Sequence, residues 1–308
     1  MKCPVFIKSF FALSIFCISF TSLESYKYDL AICAIFRNEA RFMKEWIEFH
    51  KLVGVQHFYL YNHFSEDNYL EILQPYIDTG EVELIDWTLE KIDHIREDGY
   101  YNLAWQPQAY DDCLKKVKGI VKWLAVIDLD EFLLPVKKMS LIDFLKDYEE
   151  YGGICPNWVM FGTSNVDKVP DDKLMIECLT MCDPKGDKTV KSIVRPERVV
   201  KMHHVHRADY KKGFFDVNSD KQRIRGKSSF SSYILLDKLR INHYWTGDGD
   251  RLLHVKLANK LAMDSLEIQY IERLKILRDW LNKASTWNVT EDVTIHKYLG
   301  ALKEKMKA

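Results

Sequence analysis

Apolar residues in the first third of the chain fall into short unbroken runs, separated by stretches with helical spacing. Leu30 to Phe36 is continuously apolar, the pattern of a strand covered on both faces at the centre of a parallel sheet. Arg37-Asn38-Glu39 ends it. Asn38 is suited to cap the next segment, in which Phe42, Trp46, Phe49 and Val53 recur at helical spacing until Gly54 stops the helix. His57 to Tyr61 reads as a second strand, followed by a polar loop containing Ser65 and Asp67 and a short helix from Leu70 to Tyr76. Glu81 to Asp86 is a third strand. A loop through Gly99 leads into a helix from about Pro107 to Val117, and Lys122 to Asp128 is a fourth strand. Strands alternating with helices in this way predict an α/β fold with a doubly wound, Rossmann-like sheet.

The pattern changes beyond Ser140, which can cap a helix running through Tyr148. Gly152-Gly153, Pro156, Gly162 and Pro170 punctuate shorter β-like segments, and two basic-apolar stretches follow, Lys188 to Arg195 and Val199 to Val205. A long helix is expected from roughly Arg251 to Lys283. One mixed domain over residues 26–290 accounts for these elements. Its first half spans 28–135 and its second 136–260; the long helix is 251–283, and 291–308 form a tail.

Residues 1–25 stand apart. Lys2 and Lys8 precede an apolar run from Phe10 to Phe20, broken by Ser14 and Ser19, with a polar stretch after it. That is the form of a secretory signal, and it is short for a membrane span of about 20 residues. A cleaved signal peptide and an uncleaved signal anchor both fit, so the expected location is secreted or membrane-anchored through this segment.

Composition narrows the partners. The formal net charge of −1 offers no basic surface for nucleic acid. The 16 Tyr, 16 Phe and 8 Trp supply core packing and also possible platforms for sugar rings. Of 7 cysteines, two (Cys3 and Cys17) lie in the N-terminal segment. The other five, including Cys178 and Cys182, are irregularly spaced, which is not a disulfide framework. No CxxC pair occurs, so a zinc site is not expected.

Chemistry concentrates at the end of the fourth strand, in Asp128-Leu129-Asp130-Glu131-Phe132. Carboxylates delivered to the C-terminal end of a strand in an open α/β sheet lie at the crevice where ligands bind. Strand alternation puts Asp128 and Asp130 on one side, where two hard oxygen ligands suit Mn²⁺ or Mg²⁺ and, through it, a diphosphate. An acidic turn after an ordinary strand is the plain alternative, with Glu131 capping it.

The chain resembles glycosyltransferase family 92, inverting sugar transferases with the A-type glycosyltransferase fold, a doubly wound mixed sheet. The resemblance is carried by Cys33 to Glu39, Glu45 to Val55, His57 to Asn62 with Ser65 and Asp67, Gln106, Ala109 and Asp112-Cys113. It continues through Asp128 to Phe132, Trp158 to Ser164, Lys191 to Pro196 and His243-Tyr244-Trp245. It implies a nucleotide-sugar donor, in the first instance a UDP-hexose such as UDP-galactose, and a glycan or other hydroxyl acceptor. The metal would bridge the diphosphate and Asp130, with Asp128 as ligand or ribose contact. Arg37, Asn38, Glu39 and Asp67 would line the donor pocket; Glu39 serves equally as charge complement to a helix N-terminus. Lys191 and Arg195, four apart on an expected strand, would share a face toward the diphosphate or an acidic acceptor, or else form a solvated basic edge. Such transferases often add a C-terminal histidine to the metal, and His206 and His243 are the two candidates. His203 and His204 are adjacent and poorly placed to share one centre.

Inverting transfer also requires a general base. Glu177 and Asp248 lead, ahead of Asp183 and Asp209; burial on an apolar strand is expected to raise the Glu177 pKa. Trp158 and Trp245 are candidates for stacking on sugar rings or for plain packing. On this reading Asp130→Ala abolishes transfer and leaves the fold intact. Two other classes compete: a secreted carbohydrate-binding or effector protein on a degenerate transferase scaffold, and a metal-dependent phosphohydrolase. Phe132 stands where the latter's Asp-x-Asp motif carries Thr or Val.

Overall fold

The computed structural model describes residues 25–88, 105–226, 229–259 and 270–307. The N-terminal segment, the loop through Gly99 and residues 260–269 of the expected long helix lie outside them. Among the described residues no helix is long and apolar enough to cross a membrane.

The first half alternates as its pattern predicts: β1 (Tyr28–Phe36), α1 (Ala40–Leu52), β2 (His57–Asn62), α2 (Tyr69–Asp78), β3 (Val82–Asp86), α3 (Trp105–Val117) and β4 (Val121–Val126). β4, β1, β2 and β3 pair in parallel in that order. β1 is apolar throughout because both of its faces are covered. Leu30, Ile32, Ala34 and Phe36 enter the core that includes Trp46 and Phe49 of α1, whereas Ala31, Cys33 and Ile35 pack with Ala109, Tyr110 and Cys113 of α3. Gly54 ends α1 with φ of 108°, a left-handed conformation that favours glycine.

The second half builds a smaller sheet and returns to the first. After β5 (Glu131–Pro135) and α4 (Leu141–Leu145) come β6 (Gly153–Ile154), β7 (Asn157–Met160), α5 (Met175–Cys178), β8 (Met181–Cys182), β9 (Asp187–Val190) and β10 (Ser192–Val194). Then follow β11 (Val199–His204), β12 (Arg207–Tyr210), β13 (Asp216–Val217) and β14 (Leu239–His243). The large sheet has the order β13-β6-β10-β4-β1-β2-β3 and is mixed, because β10 runs antiparallel to β4. The small sheet has the order β5-β14-β7-β9. The chain therefore passes between the two sheets five times: from β4 to β5, β5 to β6, β6 to β7, β9 to β10 and β13 to β14.

Two expectations are corrected here. The fourth strand stops at Val126, and Asp128 to Asp130 form the turn that carries the chain into the small sheet. The stretch from Lys188 to Arg195 is two strands in two sheets, hinged at Lys191. Of the expected long helix, the described residues show α6 (Gly249–Arg251), a π-helical segment over Leu252–Lys256 and a helix at Tyr270–Ser285.

Candidate active site

Two of these crossings, β4 to β5 and β9 to β10, meet at one cleft of about 310 Å³, lined by residues of both sheets. The Asp-x-Asp turn forms its floor. Glu131 accepts the Asp128 N–H through Oε2 at 3.0 Å, and its own N–H donates to the Asp128 carbonyl at 3.1 Å. This closed turn, rather than strand alternation, brings Asp128 and Asp130 to the same cleft.

Each acid meets cations. Lys191, at the β9–β10 hinge, is buried and places Nζ 2.8 Å from Asp128 Oδ2 and 3.8 Å from Glu131 Oε2. Asp130 receives three partners: Lys256 Nζ at 2.5 Å, Arg251 Nη2 at 3.4 Å and His243 Nε2 at 3.4 Å. Burial pushes the Asp130 carboxyl up, but Lys256, His243 and Arg251 outweigh it and hold its pKa well below the carboxylate range. At Asp128 the same contest, against Lys191, also ends below the ordinary value. Glu131 goes the other way. Burial, first, and the neighbouring aspartates raise its pKa above the ordinary carboxyl value, against the opposing pull of Lys191.

The remaining donor candidates separate into those in the cleft and those that brace it. Arg37 lines the cleft, with its Nε buried and unpartnered. Glu39 lines it too, gripped by Arg251 Nη2 at 2.6 and 2.7 Å. Asn38 instead ties loops together: its N–H donates to Ser65 Oγ at 3.0 Å and its Oδ1 accepts from Glu66 N–H at 2.8 Å. It adopts a left-handed φ of 56° and does not cap α1. Asp67 supplies that cap, accepting the Ala40 N–H at 2.8 Å, so its role here is structural rather than nucleoside contact.

Arg195 is also moved away from the cleft. β10 runs antiparallel to β4, with Ser192 opposite Val126 and Val194 opposite Leu124, so Lys191 reaches the acid turn while Arg195 points to the far end. Four extended residues separate the two by roughly 13 Å. Arg195 donates to the Glu149 carbonyl at 3.1 Å and lies 5.4 Å from the Trp123 ring centroid.

Neither leading base candidate reaches the cleft. Glu177 sits in helix α5, not on a strand, and pairs with Lys303 at 2.7 Å and Lys173 at 3.3 Å. Burial is outweighed by these lysines, so its pKa is lowered, opposite to expectation. Asp248 is wholly buried and fully engaged: it accepts from Arg251 N–H at 2.8 Å and Val169 N–H at 2.7 Å, and pairs with Arg41 at 2.9 Å. Asp183 and Asp209 do not line the cleft either.

Both candidate histidines do line it. His243 faces Asp130, and its Nδ1 is buried without a partner. His206, at the tip of the β11–β12 hairpin, holds Nδ1 at 3.0 Å from the Val190 carbonyl, which fixes the proton there and leaves Nε2 as the free acceptor. Burial first, and then Lys191, push its pKa down to about 3, so the ring is neutral. Trp158 lies between the two rings, with centroids 5.4 Å from His206 and 4.3 Å from His243.

The fit to a divalent cation rests on Asp130 Oδ1 and His243 Nε2, 3.4 Å apart. Two adjacent ligands of an octahedral Mg²⁺-like ion stand roughly 3 Å apart, so this pair and the exposed side of Asp128 suit one. No three His, Cys, Asp or Glu side chains converge on a single point among the described residues. The donor set therefore fits an ion completed by ligand oxygens rather than a closed all-protein centre.

Sequence reasoning missed Lys256 and Arg251, whose partnership with Asp130 spans 126 and 121 positions. It also missed His63 and Trp105, which stack at 4.1 Å with 2° between their planes on the cleft wall. A basic residue on a helix carries no local signal of such a distant partner; for His63, lying one residue past β2 was the only hint.

Fold and cleft define an α/β protein with paired acids and cations at the C-terminal ends of parallel strands. Residues 28–229 match the family model described as Glycosyltransferase family 92, and the chain belongs to that family. A family 92 protein of Ricinus communis is 27% identical over 206 residues, covering 63% of this chain and 34% of its own length. A β-1,4-galactosyltransferase of Caenorhabditis elegans is 28% identical over 197 residues, 60% of this chain and 44% of that protein. A galactan β-1,4-galactosyltransferase of Arabidopsis thaliana is 33% identical over 134 residues, 41% of this chain and 25% of that one. The chain thus spans less than half the length of these relatives. Among solved structures, S. aureus TarS 1-349 in complex with UDP overlays with a TM-score of 0.35 at 10% identity, over 84% of this chain and 72% of that one.

Proposed function

We propose that this chain is an inverting glycosyltransferase that moves a hexose, galactose in the first instance, from a UDP-sugar to a glycan hydroxyl. The observation that carries this reading is the clustering of Asp128 and Asp130 with Lys191 and Lys256 in one cleft at the sheet junction. Among the residues lining the cleft, Arg37, Lys191 and Lys256 stand with Glu39, Asp128 and Asp130, three cations to three acids. Cations already gathered at one site can turn to a diphosphate and stabilise the charge it gains as leaving group. Galactose comes from the names of the two galactosyltransferase relatives.

Each part of the cleft then has a task. Phe36 and the His63–Trp105 stack offer apolar faces to the nucleoside. Lys191 and Lys256 meet the diphosphate oxygens. Asp130 and His243, with Asp128, would hold Mn²⁺ or Mg²⁺, which when bound neutralises charge on the departing diphosphate. The acceptor oxygen attacks the anomeric carbon opposite the diphosphate, and the carbon–diphosphate bond breaks as the new one forms. His206 Nε2 receives the hydroxyl proton. Its low pKa reflects burial and the charge of Lys191, and a bound diphosphate offsets the second of these.

The test is UDP release from a panel of UDP-sugars, with and without Mn²⁺ and acceptor. Cation-dependent turnover of one donor supports the proposal. Failure of every nucleotide sugar to bind or turn over sinks it in favour of a carbohydrate-binding role on a transferase scaffold.

A further inference from the structure

Three tryptophans continue the wall of the cleft beyond the reacting groups. Trp158, on β7, and Trp245, just after β14, both line it. Trp245 meets Trp280 of the Tyr270–Ser285 helix edge to face, with ring centroids 5.1 Å apart and planes at 76°. It also meets Trp287 at 6.0 Å and 89°, and Lys256 Nζ lies 5.9 Å from its centroid. Trp287 is buried with Met160 and Ala284, which anchors the helix end on β7. Trp158, Trp245 and Trp280 are only partly buried. An edge-to-face contact leaves a ring face uncovered by its partner. A second feature points to a ligand: the Trp158 Nε1–H is buried without any acceptor. Such orphaned donors are uncommon in the absence of a ligand or water.

We infer that Trp158, Trp245 and Trp280 form the acceptor subsite, taking the apolar faces of consecutive pyranose rings of a neutral, galactose-containing glycan. The inference rests on the proposed transferase reading and deepens it. The acceptor hydroxyl has to reach the carbon leaving the diphosphate, so its subsite must open on the same cleft, and Trp245 belongs to both. This wall stands on the small sheet and the C-terminal helix, whereas Phe36, His63 and Trp105 stand on the large-sheet side. The two ends of the cleft thereby serve two different ligands. Glu39, Asp128 and Asp130 line the same cleft as Trp158 and Trp245 and would repel an acidic sugar, which suits an uncharged one.

The experiment is titration of the full chain, saturated with UDP and Mn²⁺, with β-1,4-galactotetraose, following tryptophan fluorescence. W280L keeps apolar volume and removes the ring; W280F keeps a ring. The inference predicts that W280L weakens tetraose binding about three- to tenfold, as expected for one aromatic contact, and that W280F stays close to the parent. R278A, on an exposed position of the same helix, leaves binding unchanged. UDP affinity is measured in parallel on the parent protein. Tetraose binding equal in W280L and parent, or no tetraose binding by a parent that binds UDP, overturns the acceptor subsite alone. A parent that does not bind UDP overturns the donor reading and this inference with it.

Discussion

Asp130 is one buried side chain serving three cationic or potentially cationic neighbours, and this changes what its removal does. Asp130→Ala leaves Lys256 without its anion, while Arg251 keeps its pair with Glu39. Breaking a buried pair in this way costs about 3–5 kcal/mol. The variant is therefore expected to lose stability as well as transfer, contrary to the idea from sequence that its fold would be untouched. Asp130→Asn keeps shape and an acceptor oxygen, so its denaturation midpoint should fall less while activity is still lost. Equal midpoints for Ala and parent would show that Lys256 is solvated without Asp130. His206 permits a cleaner separation, because it carries no ion pair among the described residues. His206→Ala should lower kcat by about 10²–10⁴, the range of a lost general base, with donor KM nearly unchanged. A kcat within a few-fold of the parent removes His206 from proton transfer.

At the scale of elements, α1 shows what pattern reveals and what it conceals. Its apolar spacing and its stop at Gly54 are visible in the chain, but its cap is not. Asn38 is the right residue type at the right place, yet the side chain that reaches the first turn is Asp67, 27 positions away. The same helix buries three ionisable groups that sequence alone treats as surface, Glu45, Glu48 and His50. Leu133 N–H donates to His50 Nε2 at 3.2 Å while His50 Nδ1 meets the Trp46 carbonyl at 2.8 Å, so the neutral ring latches β5 to α1. Burial lowers its pKa to about 3, and it contributes stability that is lost as pH falls from 6.5 toward 3. Burial raises Glu45 to about 7, despite N–H donors from Met175 and Ile176, with the opposite consequence. Its contribution is full below pH 4.5 and lost as pH rises through 7. Between these limits the stability of the parent relative to Glu45→Gln should decline by up to about 1.4 kcal/mol per pH unit. Denaturation of both proteins at pH 4.5, 6 and 7.5 checks the slope, and a pH-independent difference refutes the burial argument.

At the scale of the molecule, the active cleft is a junction between two sheets, and a junction has no signature in one-dimensional pattern. β1 and β2 were legible because strands covered on both faces must be apolar throughout. The acid turn and Lys191 were legible as charged interruptions. Their meeting was not, because hydrophobicity is the same on either side of Lys191 and nothing local says that the strand changes sheets there. The consequence is functional. A cleft whose acids are already matched by lysines has little call for a free cation, but a diphosphate that draws Lys191 and Lys256 toward itself leaves Asp128 and Asp130 in need of one. Cation and nucleotide should then bind cooperatively, and by linkage each must raise the other's affinity by the same factor, typically about 5- to 150-fold. Calorimetric titration of Mn²⁺ into protein with and without UDP, and of UDP with and without Mn²⁺, measures both arms without turnover. Mn²⁺ binding equally tightly in the absence of UDP would mean that the lysines do not compete for the aspartates, and that the cation site is closed by protein alone.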